Sequence, residues 1–330
     1  MVKIEPQEPP RSANFAGKPR RVGVELEFAA VTARDAALRV RSTFGGTIEQ
    51  VDRHLFEISG TELGDFEAKL DWQFLHDAEG RAPAGGESGW LASELQETLR
   101  GVLGDMASAI VPCEIVCPPV EPQALVRLDA LLADLRRYGA QGTEANPLYA
   151  FGAQLNPDIA ENSADYIVSI LKAYLLLSDW LRAIISVDFT RRILTYTDPF
   201  PLGYLSMVTD PGYWPDMAEL IHDYLRHNPV RNRELDLLPL FAWIDAETVR
   251  AAVPDKRIKA RPTFHYRLPD ARIGQSDWTV STEWNRWCVV ERLAERRDKL
   301  ELMARAYREN QNRLIPRNWA ILASEWAAMP

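Results

Sequence analysis

The stretch Gly-Val-Glu-Leu-Glu-Phe at residues 23–28 sets the tightest limit on how this chain can fold. Val24, Leu26 and Phe28 alternate with Glu25 and Glu27, a period of two that suits a strand and not a helix. In a strand the three apolar side chains share one face and the two carboxylates share the other. Two such carboxylates repel by up to about 4 kcal/mol at roughly 4 Å and an effective dielectric near 20, less when hydrated. Two readings are open for this pair: a polar face turned to water, or a site in which a divalent cation reverses the repulsion. Oxygen donors with no His or Cys at matching spacing suit Mg²⁺ or Mn²⁺ better than zinc.

The pattern recurs downstream. In Phe66-Glu-Ala-Lys-Leu-Asp71 the apolar positions 66, 68 and 70 alternate with Glu67, Lys69 and Asp71. Lys69 between two carboxylates is either a cross-strand ion pair, worth under about 1 kcal/mol at a surface, or a clamp for a phosphate. Glu114 lies in Cys113-Glu-Ile-Val-Cys117, and Glu283 closes Trp278-Thr-Val-Ser-Thr-Glu283. Four strands, each carrying a Glu in an apolar frame, predict one acidic concave face.

Between these motifs the spacing predicts a helix from Thr32 to about Phe44 ended by Gly45-Gly46, and strands near 55–59 and 65–71. A Gly/Pro loop over 79–90 lacks the P-loop pattern, and a helix over 91–110 follows it. Further on come a strand at 113–117 closed by Pro118-Pro119, a helix at 122–138, a strand at 148–155 and a core-facing helix at 165–186. Residues 189–214 are irregular and aromatic, and their Arg191-Arg192 stretch is either packing or part of a substrate pocket. Short helices reach about 253, strands are expected at 264–267 and 278–283, and a last helix at 287–312. No repeat and no regular βαβ beat is present, which predicts an α+β fold with a largely antiparallel sheet and helices on one side. Residues 1–20, polar and Pro-rich, are expected to be a mobile tail, and 21–330 one domain with 189–255 as a variable segment.

Charge and cysteine usage narrow the partners. Lys plus Arg number 38 against 47 Asp plus Glu, a net charge of −9 that argues against general nucleic-acid binding. Three cysteines make no disulfide framework, which reads as a cytoplasmic chain. Cys113 and Cys117 lack partners at zinc spacing and read as buried apolar residues; His222 and His227, five apart, do not form a zinc pair. The most apolar stretch, 166–187, is broken by Lys172, Asp179 and Arg182, which excludes a membrane span there. The basic run from Lys256 to Arg272 is either a solvated surface or, through Arg261 and Arg267, a contact for a triphosphate or a substrate carboxylate.

Taken in order, GVELEF (23–28), FEAKLD (66–71), EIVCPP (114–119), FGAQLNP (151–157), HYRLP (265–269) and STEWNRW (281–287) resemble the amidoligase family, carboxylate–amine ligases related to glutamate–cysteine ligase and glutamine synthetase. The resemblance implies a curved antiparallel sheet forming a funnel, helices on its convex side, and ATP with Mg²⁺ or Mn²⁺ on its concave side. It implies metal binding by Glu25, Glu27, Glu67 and Glu283, with Glu114 at a further matching position; on the ligase reading Lys69, Arg267, Glu114 and Gln154 would contact the nucleotide, and Arg261, Arg267 and Lys69 would have catalytic roles. The implied reaction joins a small-molecule or peptide carboxylate to an amine through an acyl phosphate. Two departures stand out. Gln154 replaces a His found in some relatives, and Arg286 lies three residues beyond Glu283 where Glu-x-Arg is common. They keep open a non-catalytic nucleotide- or ligand-binding relative; the same carboxylates would also suit a metal-dependent amide hydrolase that needs no ATP.

Overall fold

The computed structural model describes residues 4–70, 111–146, 149, 151–185 and 197–328. In chain order the strands are β1 (Val22–Phe28), β2 (Thr47–Gln50), β3 (Leu55–Thr61), β4 (Gly64–Leu70), β5 (Cys113–Val120), β6 (Ala153–Pro157), β7 (Leu235–Asp236) and β8 (His265–Tyr266). The helices are α1 (Ala33–Phe44), α2 (Leu125–Tyr138), α3 (Ala164–Ile185), α4 (Leu202–Val208), α5 (Met217–His227), α6 (Leu238–Ile244), α7 (Ala246–Ala252), α8 (Val280–Ala294), α9 (Arg297–Gln311) and α10 (Trp319–Ala328). The Gly/Pro loop at 79–90, the helix expected over 91–110, Asp71 and the start of the 189–214 segment lie outside the described residues.

The alternation in the first motif decides the layering. Val22, Val24, Leu26 and Phe28 are wholly buried, while Gly23, Glu25 and Glu27 between them are only half-buried. Each buried side chain contributes roughly 1.5–3 kcal/mol relative to exposure, so β1 cannot turn over without losing the core. It lies in the middle of one open sheet of order β2-β3-β4-β5-β1-β6-β8-β7, in which every neighbouring pair is antiparallel. Helices cover the apolar face: Phe44 of α1 stacks on Phe66 of β4, and Tyr174 of α3 and Trp287 of α8 both meet Tyr266 of β8. The fold is α+β with a largely antiparallel sheet, as the strand succession predicts.

Local chemistry sets the element ends. Thr32 caps α1 by accepting the Asp35 amide at 3.1 Å, and Gly45 and Gly46 follow with φ of 76° and 90°. A Cβ on Gly46 would lie 2.7 Å from the Ser59 carbonyl oxygen, so β2 can approach β3 there only through a glycine. Pro118 and Pro119 do not close β5; the strand continues to Val120, and its register against β1 shifts at this point, where the absent amides cost least.

Three expectations are corrected. Residues 278–283 do not form a strand. Thr279 accepts the Thr282 amide at 3.0 Å, and Asp129 of α2 takes the Val280 amide at 2.8 Å and the Ser281 hydroxyl, so the first-turn donors are satisfied and α8 begins. The helix expected over 287–312 is instead the end of α8 and the separate α9, with α10 beyond. Residues 4–20, expected to be mobile, are held by α8 at Gln7 and Arg20 and by Trp243 of α6 at Phe15. On α8, Trp284 donates to the Gln7 carbonyl at 2.8 Å, and Arg20 forms two bonds to Glu291 at 2.8 and 2.6 Å. The strand expected at 148–155 is observed as β6, and β2 and β7 were not anticipated.

Candidate active site

Strand register gathers the charged motifs on the face opposite the helices. Glu25 pairs with Val116 on one side and Gln154 on the other. Glu27 pairs with Glu114, Glu114 with Lys69, and Glu67 with both Val116 and Glu57. Residues directly opposite in an antiparallel pair point to the same face, so Glu25, Glu27, Glu67, Lys69, Glu114 and Gln154 all lie on one surface. On β8, Tyr266 pairs with Leu155, which places His265 and Arg267 with Gln154 rather than with the core.

This surface is acidic at one end and basic at the other. At the acidic end Lys69 Nζ lies 3.2 Å from Glu114 and 3.9 Å from Glu67. Burial opposes its charge, but Glu114, Glu67 and Glu25 outweigh that and raise its pKa. Glu27 accepts the Gly152 amide at 2.7 Å, and Glu25 accepts from Asn156 Nδ2 at 2.9 Å. At the basic end Arg267 reaches the fully buried Asp236 at 3.4 Å. Burial, then Arg267, Arg261 and Arg231, hold His265 well below the usual histidine range, so this imidazole is neutral at neutral pH. Arg261 itself is exposed, anchored by its amide to the Pro239 carbonyl at 3.0 Å.

Glu283 does not join this surface. It is fully buried in the first turn of α8, where it accepts from Trp278 Nε1 at 3.0 Å and pairs with Arg286 at 2.5 Å. Arg286 also donates to the Ile184 carbonyl at 3.1 Å, so the arginine that departs from Glu-x-Arg is occupied on the helix side. Cys113 and Cys117 are buried thiols whose pKa is pushed up by burial, in line with the apolar reading.

Among the described residues no three His, Cys, Asp or Glu side chains stand together as a metal-ligating group. A nucleotide-bound Mg²⁺ does not need one, since it takes one or two carboxylates and fills its octahedron with phosphate oxygens and water. The oxygen-only donors Glu25, Glu27 and Glu114 fit that use, and Glu67 at the rim of the same surface is half exposed. The placement of Glu283 does not. Asn156, Asp236, Arg231 and His265 belong to the surface although the sequence reading did not single them out. For Asn156 and His265 the available signal was alternation, since Gln154-x-Asn156 and His265-x-Arg267 each share a face with the acidic motifs; Asp236 and Arg231 carried no such signal.

An open antiparallel sheet with helices on one face, and carboxylates and guanidiniums at opposite ends of the other, defines an α+β protein. Residues 18–289 match the model of the family described as "putative amidoligase enzyme", and the chain belongs to that family. Comparisons with curated proteins and with solved structures return no match. No helix among the described residues is long and apolar enough to cross a membrane.

Proposed function

We propose that this amidoligase is an ATP- and Mg²⁺-dependent carboxylate–amine ligase, with a sheet of the glutamine synthetase and glutamate–cysteine ligase kind. The observation that carries the reading is the division of one sheet face into a carboxylate end and a guanidinium end, on a chain whose family forms amide bonds. Glu25 and Glu27, with Glu114 across from Glu27, would hold Mg²⁺ along the phosphates; bound there, the metal would neutralise phosphate charge. Lys69 and Arg267 would steady phosphate oxygens by charge-assisted hydrogen bonds, and the exposed Arg261 would meet the acidic substrate at the rim. A substrate carboxylate oxygen attacks the γ-phosphorus as the bond to the β-phosphate oxygen breaks, releasing ADP. The amine nitrogen then bonds to the acyl carbon, phosphate leaves, and the nitrogen gives up its proton to solvent. Backbone pairing fixes the strand spacing and the sealed apolar face fixes which way each strand faces, so these groups are held in place before substrate arrives.

Purified protein given ATP, Mg²⁺ and a mixed pool of amino acids and amines should release ADP in a substrate-stimulated manner. No stimulated ADP and no measurable ATP binding would overturn the reading. Two observations favour a non-catalytic nucleotide-binding relative: Lys69 already supplies a cation between Glu114 and Glu67, and Arg286 is engaged by Glu283. Mg·ATP binding without turnover across many acceptors would select that alternative.

A further inference from the structure

Gln154 does not behave as a substitute metal ligand. Its Nε2 lies 2.7 Å from Asn156 Oδ1 and 3.0 Å from His265 Nδ1. Asn156 in turn donates through Nδ2 to Glu25 Oε1 at 2.9 Å. The direction of this chain follows from its first member. A carboxylate only accepts, so Asn156 must turn its amide nitrogen to Glu25 and its oxygen to Gln154. Gln154 must then present its own amide nitrogen, which has two protons, one for Asn156 and one for His265. Nδ1 of His265 therefore accepts, and the ring proton belongs on Nε2. That Nε2 is buried and finds no partner among the described residues, in a side chain only 6% exposed. Buried N–H donors are nearly always satisfied. The charges that act on this ring are the cationic Arg267, Arg261 and Arg231, while the carboxylate of Asp236, its register partner on β7, is itself paired with Arg267 at 3.4 Å.

We propose that His265 is a binding residue of this surface, an Nε2–H donor for an oxyanion shared with Arg267 and Arg261, and that Gln154 and Asn156 orient it from Glu25. The oxyanion is a carboxylate of the acid substrate or a phosphate oxygen of the nucleotide; only that choice rests on the ligase reading. Glu25 thus acts at both ends of the surface, directly at the acidic end and through two amides at the basic end. The Gln in place of a His then has a role of its own, because a side-chain amide can donate to both neighbours at once.

The test uses the full chain labelled with ¹⁵N in histidine, with the His265 signals assigned by their loss in His265→Gln. The ring nitrogens of wild type should report the Nε2–H tautomer at neutral pH. Inorganic phosphate and acetate, titrated separately, should shift Nε2 far more than Nδ1; a response to acetate alone assigns the carboxylate, to phosphate alone the nucleotide. In calorimetry with the responding anion, His265→Gln, whose amide reaches the Nε2 position, should keep binding within about threefold. His265→Asn, which reaches only the Nδ1 position, should lose about tenfold, the equivalent of one hydrogen bond. An Nδ1–H or doubly protonated ring would overturn the relay. Failure of both anions to move Nε2, or equal binding by the Gln and Asn variants, would overturn the oxyanion site. None of these readouts needs turnover, so anion binding with no ADP release would retire the ligase reading and leave this one standing.

Discussion

Lys69 and Glu114 stand directly opposite each other on β4 and β5, with Nζ 3.2 Å from the carboxylate and Glu67 at 3.9 Å on the other side. The lysine is a built-in cation on the acidic end of the surface, and on the proposed reading it would share its carboxylates with the metal. The pair is partly exposed, so its direct worth to stability is under about 1 kcal/mol. Lys69→Met should therefore leave the unfolding midpoint almost unchanged. It should tighten binding of Mn²⁺ alone several-fold while lowering ATP affinity, both read by calorimetry. Unchanged Mn²⁺ affinity would remove Lys69 from the account of the metal end.

The Glu25/Glu27 pair separates a solvated strand face from a metal site. Wild type should melt higher with Mg·ATP than with either component alone, because a ligand that binds only the native state adds about 2.7 kcal/mol at a hundred times its Kd. Glu25→Gln/Glu27→Gln should lose most of that shift while melting close to wild type without ligand. If the double variant responds to Mg·ATP as wild type does, these carboxylates do not hold the metal.

The buried pair of Arg20 and Glu291 should dominate the response of residues 4–20 to mutation. Both side chains are almost wholly buried, at 2% and 3% exposure, and Glu291 also takes the Trp287 Nε1 proton at 2.7 Å. Arg20→Ala strands a buried carboxylate and should cost about 3–5 kcal/mol in urea unfolding. Arg20→Met/Glu291→Leu should recover most of the loss, since removing both charges also removes their desolvation. A loss below about 1 kcal/mol for Arg20→Ala would mean the segment is not held there.

Lys172 should leave a signature in the pH dependence of stability. Its Nζ donates to the Asp210 and Tyr213 carbonyls at 2.8 and 3.1 Å under the Trp214 ring, wholly buried in α3. Burial and then Arg297 lower its pKa from the usual 10.5 to about 8. Between about pH 8 and 10.5 the unfolded chain holds a proton that the native chain has released, so this group makes stability rise with pH over that window and contributes no slope below it. Urea unfolding at several pH values should show the difference between wild type and Lys172→Met growing through the window. A constant difference would mean Lys172 keeps its ordinary affinity for protons.

Much of this architecture was legible in the residues themselves. Alternation in 22–28, 55–61 and 64–70 sets which side chains are buried, because a strand's two faces differ by one residue and the core accepts only one of them. Thr32 and the Gly45-Gly46 pair mark α1 by backbone chemistry that acts within a few residues. The segment at 278–283 shows where such reading fails: its β-branched residues favour a strand, yet Asp129, some 150 positions away, satisfies the amides that start a helix. The same limit governs the site. β1, β4 and β5 each announce their own Glu, but only the order β4-β5-β1-β6-β8 sets Lys69 against Glu114 and carries Glu25 through Asn156 and Gln154 to His265. Face is a local property, encoded by a period of two along the chain. Neighbourhood is not, because hydrogen-bonded strands here join residues over 100 positions apart, and no spacing in the sequence records which strand lies beside which.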